Sequence, residues 1–323
     1  MSKSLVDQLG FKECQEYNLG IWQCPSFLFV VMGIINVVSI LTTYVIAIRY
    51  DSPELVIVSV TAVSIFIFSL GSSIIHGIQE MAAVNKVRSE FISIASHQLK
   101  APLSGLRWSC DILLSPKTGE LNQKQREYIE NIEENVTRMV RLVNDLLDVT
   151  RIDAGKMLMN MQDVDVQKVA VDVMDELKTF AAANNVKIGI EAEDGVGLVK
   201  TDPVRMKMVV ENFIDNAIKY TKDGKGDIRI IINKKGSDVY CGVKDNGIGI
   251  SKEDQKKIFE KYFRGKEVSR RQTIGTGLGL YIAKAAIENS GGKIGFNSKE
   301  GEGSEFWFTL PQAEKPVAVA ASA

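Results

Sequence analysis

The sequence predicts a multidomain chain in three parts: an α-helical transmembrane hairpin, a helical-hairpin dimerisation unit, and a compact α/β domain. Three observations predict it. Two uncharged runs, 26–48 and 55–75, stand back to back. From about 79 to 154, apolar residues recur in steps of three and four, the stripe of an amphipathic helix. After Gly155 the period changes, and short β-prone runs alternate with helical segments, as in a mixed α/β domain. A length of 323 residues has room for these units. The formal net charge is −1, so nothing in the overall balance points to a nucleic-acid partner. Cys14, Cys24, Cys110 and Cys241 lack metal-ligand spacing and read as free thiols, and His76 and His97 are too few for a histidine-rich metal site.

Residues 1–25 are mixed and polar, too charged to be the leading segment of a signal peptide, and are expected to form a cytoplasmic amino-terminal segment. Each uncharged run then suffices to span a bilayer core of about 30 Å, which makes 26–76 a membrane hairpin. Within it Asn36, Ser39, Thr42 and Thr43 are expected to mark a helix–helix contact. Lys3 and Lys12 precede the hairpin, Lys86 and Arg88 follow it, and Arg49 alone lies in its short loop. That bias places both ends, and the soluble part, in the cytoplasm of a cell membrane protein.

The next unit is 77–156. No relay domain fits between hairpin and helix, so the second span is expected to run straight into the helix carrying His97. Its stripe is Ile92, Ala95, Leu99, Leu103, Leu106, Cys110 and Leu113. His97 stands off that stripe, and Pro102, which removes a helix hydrogen bond, is expected to bend the helix just below it. Taken alone, this is equally a solvated surface histidine beside a tolerated kink. Ser115-Pro116-Lys117-Thr118-Gly119 ends the helix. A second helix, about 122–154, carries Ile129, Ile132, Val136, Met139, Val143 and Leu146. One such pair leaves its apolar faces wet. Two pairs close into a four-helix bundle, so a homodimer is expected.

The last folded unit is 157–312, followed by a tail, 313–323, expected to be disordered. Strands are predicted at 157–161, 186–190, 228–232, 239–244, 293–297 and 305–310, and helices at about 166–183, 203–220 and 278–289. Four stretches carry chemistry. Asn212, Asn216 and Lys219 fall four and seven apart on one helix face; two carboxamides and an ammonium suit a hydrated Mg2+ ion with its phosphates. The plain alternative is a polar helix face. Asp245-Asn246-Gly247-Ile248-Gly249 follows a strand; its carboxylate can accept from an exocyclic amine while the glycines let a ring approach. Gly275-Thr276-Gly277-Leu278-Gly279 opens a helix, where free amides cradle phosphate. The polar stretch Arg270-Arg271-Gln272-Thr273 before it looks like a mobile lid, and Gly301-Glu302-Gly303-Ser304 is a turn between the last two strands.

In this order the stretches resemble the ATP-binding domain of the sensor histidine kinases of two-component systems, an α/β sandwich of Bergerat type. The stretch around His97 resembles that family's phospho-accepting helix pair, and the resemblance runs from about Gln79 to Pro311. It implies that His97 is the phosphorylated residue, that Asn216 supported by Asn212 binds Mg2+, and that Lys219 reaches the phosphates of ATP. Tyr220 would lie along the base, Asp245 would hold the adenine amine, and Gly247 and Gly249 would shape the pocket. Phe259 and Phe263 would anchor the lid, Arg264 would reach phosphate, and Gly275, Gly277, Leu278 and Gly279 would pack along the phosphate chain. The implied partner is the receiver domain of a response regulator, to whose aspartate the phosphoryl group passes.

Two departures stand out. Most relatives carry an acidic residue directly after the histidine; Gln98 can orient the ring by a hydrogen bond but cannot act as a base. Relatives that dephosphorylate their regulator usually carry Thr or Asn four residues after it, where this chain has Ala101. Gln98 keeps open a second reading, a non-catalytic, nucleotide-gated membrane scaffold. The intact set of Asn216, Asp245 and glycines favours the kinase. An ATPase of the gyrase or chaperone kind is the third, opposed by the helix pair with its outward histidine.

Overall fold

The computed structural model describes residues 25–50, 53–221, 226–265 and 275–313. The amino-terminal segment, the stretch Arg270–Thr273 and the tail beyond 313 lie outside the described residues, as do Cys14 and Cys24.

The chain divides into two compact units, 1–105 with 153–156, and 106–152 with 157–323. In the first, α1 (Pro25–Ala47) is followed by α2 (Pro53–Leu114), one continuous helix that holds the second apolar run, His97 and Pro102. The segments Phe27–Ile46 and Val56–Met81 have mean hydropathies of 2.2 and 2.0, so two helices are long and apolar enough to cross a membrane. The expected polar contact between them is narrower than the sequence suggested. Asn36 Nδ2 donates to Ser64 O at 3.5 Å, whereas the Thr42 hydroxyl turns back to its own helix, onto Val38 O and Ser39 O. A threonine in a helix has its own i−4 carbonyl within reach, which satisfies it locally. Buried Gly71 packs against the Met32 side chain, where a methyl group would collide. Helix α2 continues through Pro102.

In the second unit, Pro116–Thr118 forms a 3-10 turn between the end of α2 and α3 (Gln123–Asp153). The Thr118 hydroxyl reaches Ile112 O at 2.9 Å and Ser115 O at 2.8 Å, closing that turn. Asn122 and Gln125 exchange side-chain and backbone hydrogen bonds of 2.9 and 3.0 Å, a capping box that starts α3. Leu106 and Leu113 on α2, and Ile132, Met139 and Leu142 on α3, remain exposed.

The α/β part follows as β1 (Gln162–Val164), α4 (Val166–Ala183), β2 (Val186–Ala192), β3 (Val199–Thr201), α5 (Pro203–Lys219), β4 (Gly226–Lys235) and β5 (Asp238–Asp245). A short α6 (Lys252–Gln255), then α7 (Gly279–Asn289), β6 (Lys293–Lys299) and β7 (Gly303–Pro311), complete it. The main sheet has the order β2-β4-β5-β7-β6, with β2 and β4 parallel and the other pairs antiparallel. A separate ribbon pairs β1 with β3. The predicted strand at 157–161 is not one: the chain there is irregular and pairing begins at Gln162. Apolar residues alone do not make a strand; a ladder partner must lie alongside, and β3 reaches only Gln162–Val164.

Helices α4, α5 and α7 pack against the sheet. Strand β4 shows the alternation of a half-buried strand, Ile228, Ile230 and Ile232 inward and Arg229 outward. Their partners from α5 are Met206, Val209, Val210, Phe213, Ile214, Ala217 and Ile218, spaced at three and four. Phe213 is 1% exposed, with ring centroids 5.7 Å from Phe306 and 6.3 Å from Phe308 on β7. Cys110 and Cys241 are free and buried, and burial pushes the Cys241 thiol up to about 12, which keeps it unreactive. Phe213→Ala is expected to lower unfolding free energy by about 3–5 kcal/mol, measured by denaturant unfolding, through lost burial and the cavity left behind.

Candidate active site

Helix α5 begins where Asp202 Oδ1 accepts from Val204 N at 2.9 Å and Arg205 N at 3.2 Å, with Pro203 in the first turn. An N-cap carboxylate and a first-turn proline fix both the start and the direction of a helix. Because the apolar side of α5 is pinned to the sheet, its other side must present Glu211, Asn212, Asp215, Asn216 and Lys219. Asn216 Nδ2 donates to Asn212 Oδ1 at 3.0 Å, so the two predicted carboxamides do meet. Lys219 Nζ pairs with Asp215 Oδ2 at 2.6 Å, one turn earlier, a partner the sequence reading did not assign.

Asp245 ends the central strand β5 and is 8% exposed. Its Oδ1 accepts from Gly247 N at 2.8 Å and Ser304 N at 3.1 Å. Burial pushes its carboxyl above the usual range, while these two amides pull it back down. No donor among the described residues reaches Oδ2, which is left for a ligand. The loop after Asp245 is stitched on both sides: Ile248 N donates to Tyr220 O at 3.0 Å, and Gly301 N donates to Ile248 O at 2.7 Å. Gly249 sits at φ +68, and a Cβ there would collide with Lys299 O, so both backbone conformation and space require glycine. Gly301-Glu302-Gly303-Ser304 therefore braces the Asp245 loop.

The third predicted stretch opens α7. Leu278 is the N-cap residue and has no side-chain cap bond, leaving first-turn amides of α7 available to an anion. Gly279 lies directly on the Asn212 carboxamide; a Cβ there would occupy that group's place. Gly277 packs on the backbone of Tyr262 and Phe263, while Gly275 has open space around it. Tyr220 caps the end of α5; burial raises its phenol, and the charge of Arg264 opposes that shift, which puts Arg264 on the Tyr220 side. Phe259 packs on Phe296 with centroids 5.9 Å apart and lies under Lys284 Nζ. Phe263 is half-buried. The site residues thus gather along α5, the Asp245 loop and the start of α7. His97, exposed on α2, belongs to the other unit.

Sequence reasoning missed what binds α3 to this domain. Arg205 donates from both terminal nitrogens to Asp148, at 2.5 and 2.8 Å, with both side chains largely buried. The paired carboxylate raises the Arg205 guanidinium against the opposing effect of burial. Arg141 reaches Glu211 at 3.4 Å, and Thr276 Oγ1 donates to Asp145 Oδ2 at 3.3 Å. Val149 of α3 joins Leu278 and Ile282 of α7 in a small buried cluster. The only trace in the sequence is the spacing of 141, 145 and 148, one polar helix face. A double-mutant cycle with Asp148→Ala and Arg205→Ala should give a coupling of about 1.5–3 kcal/mol in unfolding free energy, as for a hydrogen bond between charged groups.

Comparison with known proteins agrees with this geometry. The family described as "His Kinase A (phospho-acceptor) domain" matches residues 87–155, and that described as "Histidine kinase-, DNA gyrase B-, and HSP90-like ATPase" matches 201–314. The chain is 31% identical over 236 residues to the sensor histidine kinase GacS of Pseudomonas protegens, covering 72% of this chain and 25% of GacS. It is 32% identical over 234 residues to the signal transduction histidine-protein kinase BarA of Escherichia coli K12, covering 70% and 25%. The crystal structure of full-length ShkA in complex with AMPPNP superposes with a TM-score of 0.58 at 26% identity, over 71% of this chain and 47% of that one. The chain thus spans about a quarter of the length of GacS and BarA. With a phospho-acceptor helical hairpin and an ATP-binding α/β domain in one polypeptide, it belongs to the sensor histidine kinases of two-component systems.

Proposed function

We propose that this chain is a membrane-bound, homodimeric, ATP-dependent protein histidine kinase that phosphorylates its own His97 and passes the phosphoryl group to a response-regulator aspartate. The observation that carries the reading is the exposure of His97 on α2, within the segment matched by the phospho-acceptor family. Imidazole is a usable nucleophile near neutral pH. Phosphoryl transfer asks the protein mostly for positioning and charge neutralisation. Asp245 takes the adenine amine on Oδ2, with Tyr220 along the ring. The first turn of α7 and the glycines before it receive the phosphates. Lys219 turns from Asp215 toward them, and Arg264 reaches them from the Tyr220 side.

The donor set also fits Mg2+. Magnesium takes oxygen ligands and keeps several waters, so it needs only one or two from the protein. Once Asn216 Nδ2 is engaged by Asn212, Oδ1 of Asn216 remains as a hard oxygen ligand. When bound, Mg2+ supplies charge neutralisation across the phosphates; Asn216 would hold it and Asn212 would orient Asn216.

Two observations support the membrane and dimer readings. The two apolar helices carry exposed large side chains along their length, as a bilayer requires. The exposed leucines of α2 and the apolar stripe of α3 offer a second copy a face to close into a bundle. The catalytic part then lies on the cytoplasmic side with both ends of the hairpin.

His97→Gln should abolish acid-labile labelling by radioactive ATP while ATP binding persists; labelling that survives would remove His97 from its role. Asn216→Ala, in a folded protein, should lose the magnesium-dependent part of ATP binding, read by calorimetry with and without chelator.

Gln98, exposed beside His97, can orient the imidazole without accepting its proton. Gln98→Glu should therefore speed autophosphorylation, by about tenfold or more for a well-placed base, and Gln98→Ala should slow it. The measurement is the initial rate of phosphohistidine formation.

A further inference from the structure

Thr276 makes a contact that reaches outside the ATP-binding domain. Its Oγ1 accepts from Leu278 N at 3.1 Å and lies 3.3 Å from Asp145 Oδ2 on α3. A hydroxyl has one proton to give, so Asp145 takes it and the oxygen's lone pair is turned to the Leu278 amide. Asp145 thereby orients the hydroxyl that ties the glycine loop to the start of α7.

Among the described residues Asp145 has no cation of its own. Asp148 on α3 is taken up by Arg205, and Arg141 by Glu211 of α5, while Asp145 forms no ion pair among the described residues. Burial pushes its carboxyl up to about 6; the Thr276 hydrogen bond lowers it, Asp148 raises it, Arg141 lowers it and Glu211 raises it, in that order of weight. Arg205 faces Asp148 rather than Asp145. A carboxyl with this value changes its charge within the range in which kinases work.

The geometry points to Asp145 as a positioning residue of the nucleotide site, one that holds the phosphate loop through Thr276 and takes up a proton from solvent when a triphosphate binds. This rests on the reading that Gly275–Gly279 receives phosphate. A triphosphate at that loop adds negative charge beside the carboxylate, and like charges favour the protonated form. Binding and protonation must then favour each other by the same factor. The protonated carboxyl keeps an oxygen that accepts from Thr276, so the loop stays tied while the repulsion is removed. The phosphate site is in this way part of the dimerisation helix as well as of the ATP-binding domain.

The test uses the full chain in lipid vesicles and measures the Kd of ATP with Mg2+ by calorimetry from pH 5 to 8. Asp145→Asn keeps the shape and the hydrogen bond but cannot ionise. The ratio of wild-type to Asp145→Asn Kd cancels the titration of ATP itself. It should be near one at pH 5 and rise above about pH 6. By pH 8 the wild type should bind about tenfold more weakly, equivalent to about one pKa unit of coupling. Thr276→Ser should reproduce this curve. Thr276→Val, which removes the hydrogen bond that lowers the carboxyl, should move the rise to higher pH. A ratio that does not vary with pH, or an Asp145→Asn protein that binds more weakly at every pH, would overturn the role of Asp145 and leave the nucleotide site intact. Absence of ATP binding at every pH would overturn the phosphate reading, and this proposal with it.

Discussion

The rotation of α5 about its own axis is the constraint on which the site depends. Seven apolar residues from Met206 to Ile218 are buried on one side, and Phe213 is locked between the rings of Phe306 and Phe308. Burial of such side chains is worth roughly 1.5–3 kcal/mol each, so the helix cannot turn without giving up a large part of the core. Asn212 and Asn216 are therefore placed by the buried apolar residues on the other side of the helix. Arg205, held by Asp148, fixes the same helix from its outer side near its amino end. A buried pair of this kind costs desolvation as well as gaining attraction, and its bidentate geometry is better suited to setting register than to adding stability.

The second organising feature is the way Asp245 is held. A carboxylate at the end of a central strand would be costly if left bare. Two backbone amides, from Gly247 and Ser304, meet it on one oxygen, and no donor among the described residues reaches the other. Those amides come from segments almost sixty positions apart, so this cradle around Asp245 forms only when β5 and β7 are paired. Folding and site assembly are here the same event.

Much of this was legible in the sequence, for physical reasons. Long periodic stripes and uncharged runs are averaged over many residues, which is why α1, α3, α4 and α5 are found within a residue or two of their predicted ends, while the second apolar segment runs on to Met81. The face shared by Asn212 and Asn216 follows from helical geometry alone. What could not be read depends on partners distant in the chain. The ribbon of β1 and β3 has three residues a strand, too short to show a period, and the apolar run at 157–161 drew the expected strand away from Gln162–Val164. Lys219 read as a free ammonium, and its pairing with Asp215 is a choice among rotamers. The contacts of Arg141, Asp145 and Asp148 join α3 to residues seventy, one hundred and thirty-one and fifty-seven positions away, and polar residues on a helix face look the same whether they meet solvent or another domain.

The unbroken helix α2 has a consequence for how messages pass along it. Between Met81, the end of the apolar segment, and His97 there is no loop, and the chain stays helical. At 3.6 residues per turn, each residue added there would turn His97 by about 100° relative to the apolar segment. The connection is thus indexed by angle rather than by distance. Insertions of seven residues nearly restore the original facing, while insertions of one or two redirect the imidazole to another side. Any rotation of the apolar segment about the helix axis would arrive at His97 as a change of azimuth, with an unbroken helix in between.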